Sequence, residues 1–309
     1  MSDTVASLRR KIDSAGDLQS VVRTMKALAA SNIGQYERSL RALSQYYRIV
    51  ELGLSACFRE REAHVSLAPR GGEEDARVVG AVVFGSDQGL AGRFNEVVAE
   101  EASRVLGSLG VKAHVWAVGE RVHERLASAG VPMTGLFAVP NSVKAIAPLV
   151  AQVLLESEKR PGAREITELH LFYNRPTSGA VYAPVQERLL PLDGDWRRKL
   201  LDLPWPTRSL PEVIGGGTTT LRALVREYLF VSLFRACAQS LASENASRLA
   251  AMERADKNID ELLETLHGLF HRLRQSGIDE ELFDVISGFE ALSKPQLRRH
   301  AEGVRHDKR

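Results

Sequence analysis

Cysteine, aromatics, net charge and long apolar runs are all scarce in this chain, and each scarcity narrows what it does. Its 309 residues hold two cysteines, Cys57 and Cys237, far apart and outside any CxxC pair. That excludes a disulfide framework or a thiolate zinc site, and leaves two small hydrophobes among helix-forming neighbours. No segment approaches the roughly 18 uninterrupted apolar residues of a spanning helix. The opening stretch MSDTVASLRRKID has no apolar h-region, so the expectation is a cytosolic chain, or one peripheral to a membrane without direct insertion. A formal net charge of +2 gives no general attraction to nucleic acid. Aromatics at 6% suit long helices better than a compact aromatic core. Proline is missing before Pro69 and again between Pro211 and Pro295, so nothing in either stretch forces a helix to break.

What those proline-free ends contain is a heptad pattern. Alternating steps of three and four from Val5 pass through Leu8, Ile12, Ala15, Gln19, Val22, Lys26, Ala29, Ile33, Tyr36, Leu40, Leu43, Tyr47, Val50, Leu54 and Cys57. Only Gln19 and Lys26 interrupt an apolar seam, which predicts a coiled-coil helix over residues 1–60. A second seam runs from Leu221, Leu224, Tyr228 and Val231 through Met252, Ile259 and Leu263 to Leu273, with Arg235, Asn245 and Asp256 as its polar members. It predicts a C-terminal coiled-coil helix over residues 217–292, started by the loop and cap residues Gly215–Thr220. Each helix needs a partner for its stripe, and an antiparallel pairing within the chain supplies one. The C-terminal helix is the longer, so its end, with Leu282, Phe283, Val285, Ile286, Phe289 and Leu292, is expected to project and to require a sleeve from another protein. The segment 293–309 reads as a basic tail.

The middle, residues 70–212, has a different rhythm. Ala76–Ser86, Val111–Gly119 and Ile166–Asn174 read as strands, while Phe94–Leu106, Glu120–Gly130 and Ser142–Lys159 read as helices. Such alternation predicts a parallel α/β layer. Ala180–Leu192 is expected to add an antiparallel edge strand, where Pro184 is tolerated. The fold class expected is therefore α/β: a long antiparallel coiled coil of terminal helices with an inserted Rossmann-like domain.

Chemistry-bearing motifs are weak. Gly85-Ser86-Asp87-Gln88-Gly89-Leu90-Ala91-Gly92 follows a strand and precedes a helix, the setting of a phosphate loop. Its spacing matches neither GxGxxG nor a P-loop, and it reads as a glycine turn that lets a helix pack on the sheet. The GGGTTT run lacks a P-loop lysine. His267 and His271 stand at i, i+4 without a carboxylate frame, and they read as ordinary helix positions. No catalytic residue, metal ligand or cofactor is assigned.

Three segments carry a family resemblance. VVRTMKALAASN (Val21–Asn32), GSDQGLAGRFN (Gly85–Asn95) and SLASENASRLAAMERADKNIDELL (Ser240–Leu263), the last followed by RQSGIDEELFDVISGFEAL (Arg274–Leu292), resemble the gamma subunit of rotary F-type ATP synthases, in the same order and over nearly the whole chain. Gln88, Ala91, Asp279 and Phe289 depart from the family pattern, as does the extension after Leu292. These departures fit a divergent branch such as the N-type, sodium-moving ATPases. The resemblance implies a central-stalk rotor subunit, not itself an enzyme, on the cytoplasmic face of the bacterial inner membrane. It implies as partners the alpha and beta subunits of the catalytic head, the epsilon subunit and the membrane ring of c subunits. It also implies head contacts at Met25, Lys26, Arg274, Gln275, Glu281, Ile286 and Phe289. Two rivals remain on the residues alone: a coiled-coil scaffold without a motor, and a nucleotide-binding α/β protein with helical arms.

Overall fold

A computed structural model describes residues 4–60, 78–158, 166–177, 181–209 and 217–303, with side chains at 60, 158, 217 and 291–303 left aside. The start of the first expected strand, Gly215 and Gly216 and the last tail residues lie outside the described residues. The chain divides into two compact units, Met25–Met252 and Met1–Thr24 with Glu253–Arg309. Helix α1 (Val5–Glu60) and helix α6 (Gly217–Gly303) each contribute to both units.

The heptad reading of α1 has a direct physical counterpart. Leu8, Ala15, Val22, Ala29, Tyr36 and Val50, each a multiple of seven residues from the first, are buried, as are Leu54 and Cys57. The positions between them, Ile12, Gln19, Lys26, Ile33, Leu40 and Tyr47, are half-buried. One side of the seam thus faces inward and the other lies at its rim. On α6 the buried positions Leu221, Tyr228, Val231, Ala238, Ala242, Met252, Ile259 and Leu266 repeat the pattern. Polar residues on and beside the seams pair across the two helices. In the smaller unit, Gln19 Nε2 donates to Asp260 and Arg23 Nε donates to Asp256 Oδ1 at 3.1 Å. In the larger unit, Asn32 Nδ2 donates to Asn245 Oδ1 at 3.3 Å and the Tyr46 hydroxyl donates to Glu227 at 2.8 Å. In both units, partner numbers fall on α6 as they rise on α1, the mark of an antiparallel pair. Such pairs specify register more than they stabilise it.

Between the helices, within the larger unit, strands and helices alternate: β1 (Val79–Phe84), α2 (Phe94–Ser108), β2 (Ala113–Val118), α3 (Glu120–Ser128), β3 (Met133–Phe137), α4 (Val143–Glu158), β4 (Glu168–Arg175), β5 (Ala183–Leu190) and α5 (Gly194–Leu201). The sheet order is β3-β2-β1-β4-β5. The first four strands are parallel and β5 is antiparallel to β4. The parallel layer and the antiparallel edge strand bearing Pro184 are as the residues predict. Strand β3 and helix α5 are additions. The segment MTGLF is short, contains glycine and is only half-buried at the sheet edge, so it lacks the continuous apolar run of β1. Helix α5 is eight residues long and begins with glycine. Its signal is Asp193, whose carboxylate accepts from Trp196 N at 2.9 Å as an N-cap.

Side-chain alternation gives the sheet two cores. Ala81, Val83, Val115, Ala117 and Phe172 pack with Val98, Ala102, Val122 and Leu126 of α2 and α3. Val82, Phe84, Trp116, Leu171 and Tyr173 pack with Ile146, Val150 and Val153 of α4 and with Leu233, Ala236, Cys237 and Leu241 of α6. A third cluster joins Leu54 and Phe58 of α1, Leu221 and Tyr228 of α6, and Leu200 of α5. Each fully buried leucine here contributes about 1.5–3 kcal/mol.

Candidate functional site

In an open α/β sheet, ligands enter the crevice beyond the carboxyl ends of the strands where the winding direction reverses. Here the reversal lies between β1 and β4. The chain after β1 is the Gly85–Gly92 turn, and its geometry is spent on packing. A Cβ on Gly85 would come within 2.3 Å of the Val122 Cβ, so only glycine lets α3 approach. Asn95 holds the turn from both sides, accepting from Ser86 N at 2.9 Å and donating to Ser86 Oγ at 2.8 Å. Asp87 ties it to the neighbouring loops: one carboxylate oxygen accepts from Glu120 N at 3.0 Å and the other from Val139 N at 2.9 Å.

The crevice itself is filled by α6. Ser247 Oγ donates to Ala91 O at 2.6 Å, and Ser243 Oγ donates to Asn174 O at 3.0 Å. Asn174 Nδ2 in turn donates to Phe94 O at 2.8 Å at the start of α2. Hydroxyls of this chain's own helix therefore stand where a Rossmann-type domain would take its ligand. An adjacent cleft of about 380 Å³ runs from Gly89–Gly92 to α3. Its cations are engaged: Arg125 Nη2 lies 2.6 Å from Glu96 and Arg121 Nη1 lies 3.3 Å from Glu124. Among the described residues no group of three or more His, Cys, Asp or Glu is placed to hold a metal ion, and His267 and His271 are both exposed.

Beside the crevice, α6 carries a buried ionisable cluster. Glu244 has a side chain 7% exposed and pairs with Arg248 Nη2 at 2.6 Å. Burial raises its carboxyl above the ordinary range despite Arg248, and Asp87 pushes the same way. Burial, with Glu244 and Cys237 adding to it, lifts the Tyr36 phenol to about 12. Burial likewise pushes the Cys237 thiol up. Tyr36, Glu244 and Arg248 line, with Asp87 and Asn245, a cleft of about 290 Å³, where Arg248 is held by its pairing with Glu244.

The second candidate surface is the far part of α6, in the smaller unit. From Arg274 to Glu290 every residue is exposed. Arg274, Gln275, Glu281, Ile286 and Phe289 all fall in this stretch. Ile278, Leu282, Val285 and Phe289 repeat along one helix face, with Ile286 beside it, and Phe289 is 73% exposed. Contiguous large apolar side chains on an exposed helix make this stretch a candidate interaction surface. Met25 and Lys26 belong to the larger unit and are half-buried, Lys26 on the α1 seam and Met25 beside it. Residue reasoning missed Asn174 at the end of β4 and Ser243 and Ser247 on α6, the groups that bridge the crevice; the local signal of the two serines is a run of small polar residues, SLASENAS, within the helix.

The fold defines a class: a mixed five-stranded α/β sheet inserted between long N- and C-terminal helices, with α6 hydrogen-bonded across the switch-point crevice. The ATP synthase family model matches residues 4–292. The chain is 28% identical over 304 residues to the ATP synthase gamma chain of Syntrophus aciditrophicus (strain SB), covering 93% of this chain and 98% of that one. It is 30% identical over 296 residues to the ATP synthase gamma chain of Leifsonia xyli subsp. xyli (strain CTCB07), covering 92% and 96%. Among solved structures, it is similar to a chain of the Euglena gracilis mitochondrial ATP synthase, OSCP/F1/c-ring, rotational state 3, with a TM-score of 0.61 at 17% identity, covering 93% of this chain and 94% of that one. A chain from the rotor of the same synthase, rotational state 1, gives a TM-score of 0.59 at 18% identity, covering 89% and 98%. The chain belongs to the ATP synthase gamma-chain family.

Proposed function

We propose that this chain is the central-stalk rotor subunit of an F-type ATP synthase, contributes no catalytic residue itself, and transmits rotation of a proton- or sodium-driven c ring to the nucleotide sites of an alpha–beta head. The observation that carries the reading is the exposed stretch Arg274–Glu290. Its apolar residues Leu282, Val285, Ile286 and Phe289 favour a surrounding sleeve, which a ring of alpha and beta subunits supplies. Arg274, Gln275 and Glu281 add groups that make charge-assisted or polar hydrogen bonds to that sleeve. Met25 and Lys26 are assigned to a carboxylate-rich lever of a beta subunit.

The physical logic is unequal affinity. A ligand shifts an equilibrium only by binding one state better than another. An asymmetric shaft inside a pseudo-symmetric ring biases each nucleotide site differently, and turning the shaft changes which site is biased. Contacts that transmit torque must also release at each step. A few charge-assisted hydrogen bonds, worth about 1.5–3 kcal/mol each, do this more readily than a broad apolar interface. The α/β insert is assigned to the foot, against epsilon and the c ring, on the cytoplasmic face of the bacterial membrane.

Co-expression with the cognate alpha and beta subunits tests the reading. The expected result is a stoichiometric complex holding a single copy of this chain, with ATP hydrolysis that depends on it. A chain that elutes alone as a homodimer and leaves hydrolysis unchanged would instead establish the scaffold reading.

A further inference from the structure

The α/β insert meets α6 mainly through apolar side chains: Leu171, Tyr173 and Leu189 on the sheet, and Leu233, Ala236 and Leu241 on the helix. Apolar burial is non-directional. A helix moved along its axis by one residue, about 1.5 Å, keeps much of its burial, so this surface resists separation better than sliding. Directional bonds are what resist sliding, because a hydrogen bond weakens steeply over such a displacement.

One residue joins three elements in this way. Arg235 of α6 donates from Nη2 to Glu187 Oε1 of β5 at 2.7 Å. Its guanidinium carbon also lies 4.7 Å from the ring centre of Tyr47 on α1. Glu187 is itself held: the Tyr173 hydroxyl of β4 donates to its Oε2 at 3.1 Å, and Arg175 Nη2 donates to that hydroxyl at 2.6 Å. Side-chain exposures of 27% for Arg235 and 23% for Glu187 leave the pair about three-quarters buried. Farther along the same helix, Ser243 bonds to Asn174 O in β4 at 3.0 Å and Ser247 to Ala91 O in the turn after β1 at 2.6 Å.

We propose that Arg235 is a positioning residue that locks α6 in register against both α1 and the sheet, so that torque entering through the α/β insert turns α6 instead of being lost in sliding. The proposal rests on the rotor reading. Its signature is load dependence: a register lock matters little when the shaft turns freely and most when it works against an opposing ion gradient.

The test uses the complete synthase in inverted membrane vesicles. Arg235→Met keeps the long apolar stem and removes the charge and the donors. Hydrolysis without a gradient is expected to stay near the parent value. Ions pumped per ATP against an established gradient are expected to fall at least about three-fold, within the effect of losing one charge-assisted hydrogen bond. Glu187→Gln, which preserves volume, should show a smaller loss of the same kind, and Arg235→Lys should recover part of the pumping. Equal pumping under load in parent and Arg235→Met overturns the proposal. If Arg235→Met does not assemble, Glu187→Gln carries the test, and parental pumping in that variant overturns it. A parent chain that itself supports no ATP-driven pumping overturns the rotor reading, whatever Arg235 does.

Discussion

At the scale of single residues, the buried acid on α6 makes the clearest demand. The Glu244 carboxyl has its pKa raised above the ordinary 4.5, chiefly by burial. The folded chain therefore keeps a proton that the unfolded chain releases. As pH rises above 4.5, the unfolded state gains by ionising and folding loses stability, until the folded carboxyl ionises too. Glu244→Gln removes this dependence. The difference in melting temperature, variant minus parent, should shift in the variant's favour between pH 4.5 and neutrality; a flat difference across that range would show that the site does not titrate as argued. The two thiols make a simpler case. Cys57 and Cys237 are buried, at 2% and 1% exposure, and a buried thiol reacts slowly because its thiolate is disfavoured. The native chain should take up no aromatic disulfide reagent over minutes and react at both cysteines in denaturant.

At the scale of elements, glycines divide into those that pack and those that do not. Gly85 sits where a Cβ would meet Val122, whereas nothing lies within 4 Å of a Cβ on Gly107 in α2. Gly85→Ala should cost about 1–3 kcal/mol in denaturant unfolding. Gly107→Ala should gain about 0.5–1 kcal/mol, because a helical glycine is the more costly residue. Similar effects at the two sites would remove the close approach of α3 as the reason for Gly85. The same contrast explains what was legible beforehand. The α1 seam could be read because every seventh residue from Leu8 to Tyr36 is apolar and buried. Strand β1 could be read because all six of its residues are apolar or glycine. Strand β3 and helix α5 could not, since MTGLF and GDWRRKLL are too short for a periodicity to stand out, and their stability comes from neighbours at the sheet edge and the α1 end.

At the scale of the whole molecule, the exposed stretch of α6 sets the main test. Replacing Phe289 and Ile286 by aspartate places charge in the assigned sleeve. Assembly with the head should weaken, with little change in the melting temperature of the isolated chain, because both residues are exposed in it. A large loss of stability in the isolated chain would mean that these residues serve its own fold. Helix α6 continues to Gly303, through part of the segment read as a basic tail. Deleting residues 293–309 is expected to leave assembly with the head intact, checked by sizing the co-expressed complex; loss of the complex would give the tail a structural task.

The residues alone determined the helical seams, most of the parallel strands and the antiparallel edge, since each is a periodicity of side chains within a few turns or one strand. They also determined the family, through segments that keep their order along the chain. The tertiary structure decided the strand order, the closing of the switch-point crevice and the joining of Arg235 to Glu187 and Tyr47. Ser243 finds the carbonyl of Asn174, and Ser247 that of Ala91, across long stretches of chain. Nothing local specifies such partners: they follow from the packing of the sheet against α6, which brings each hydroxyl within reach of a carbonyl that lies far away in sequence.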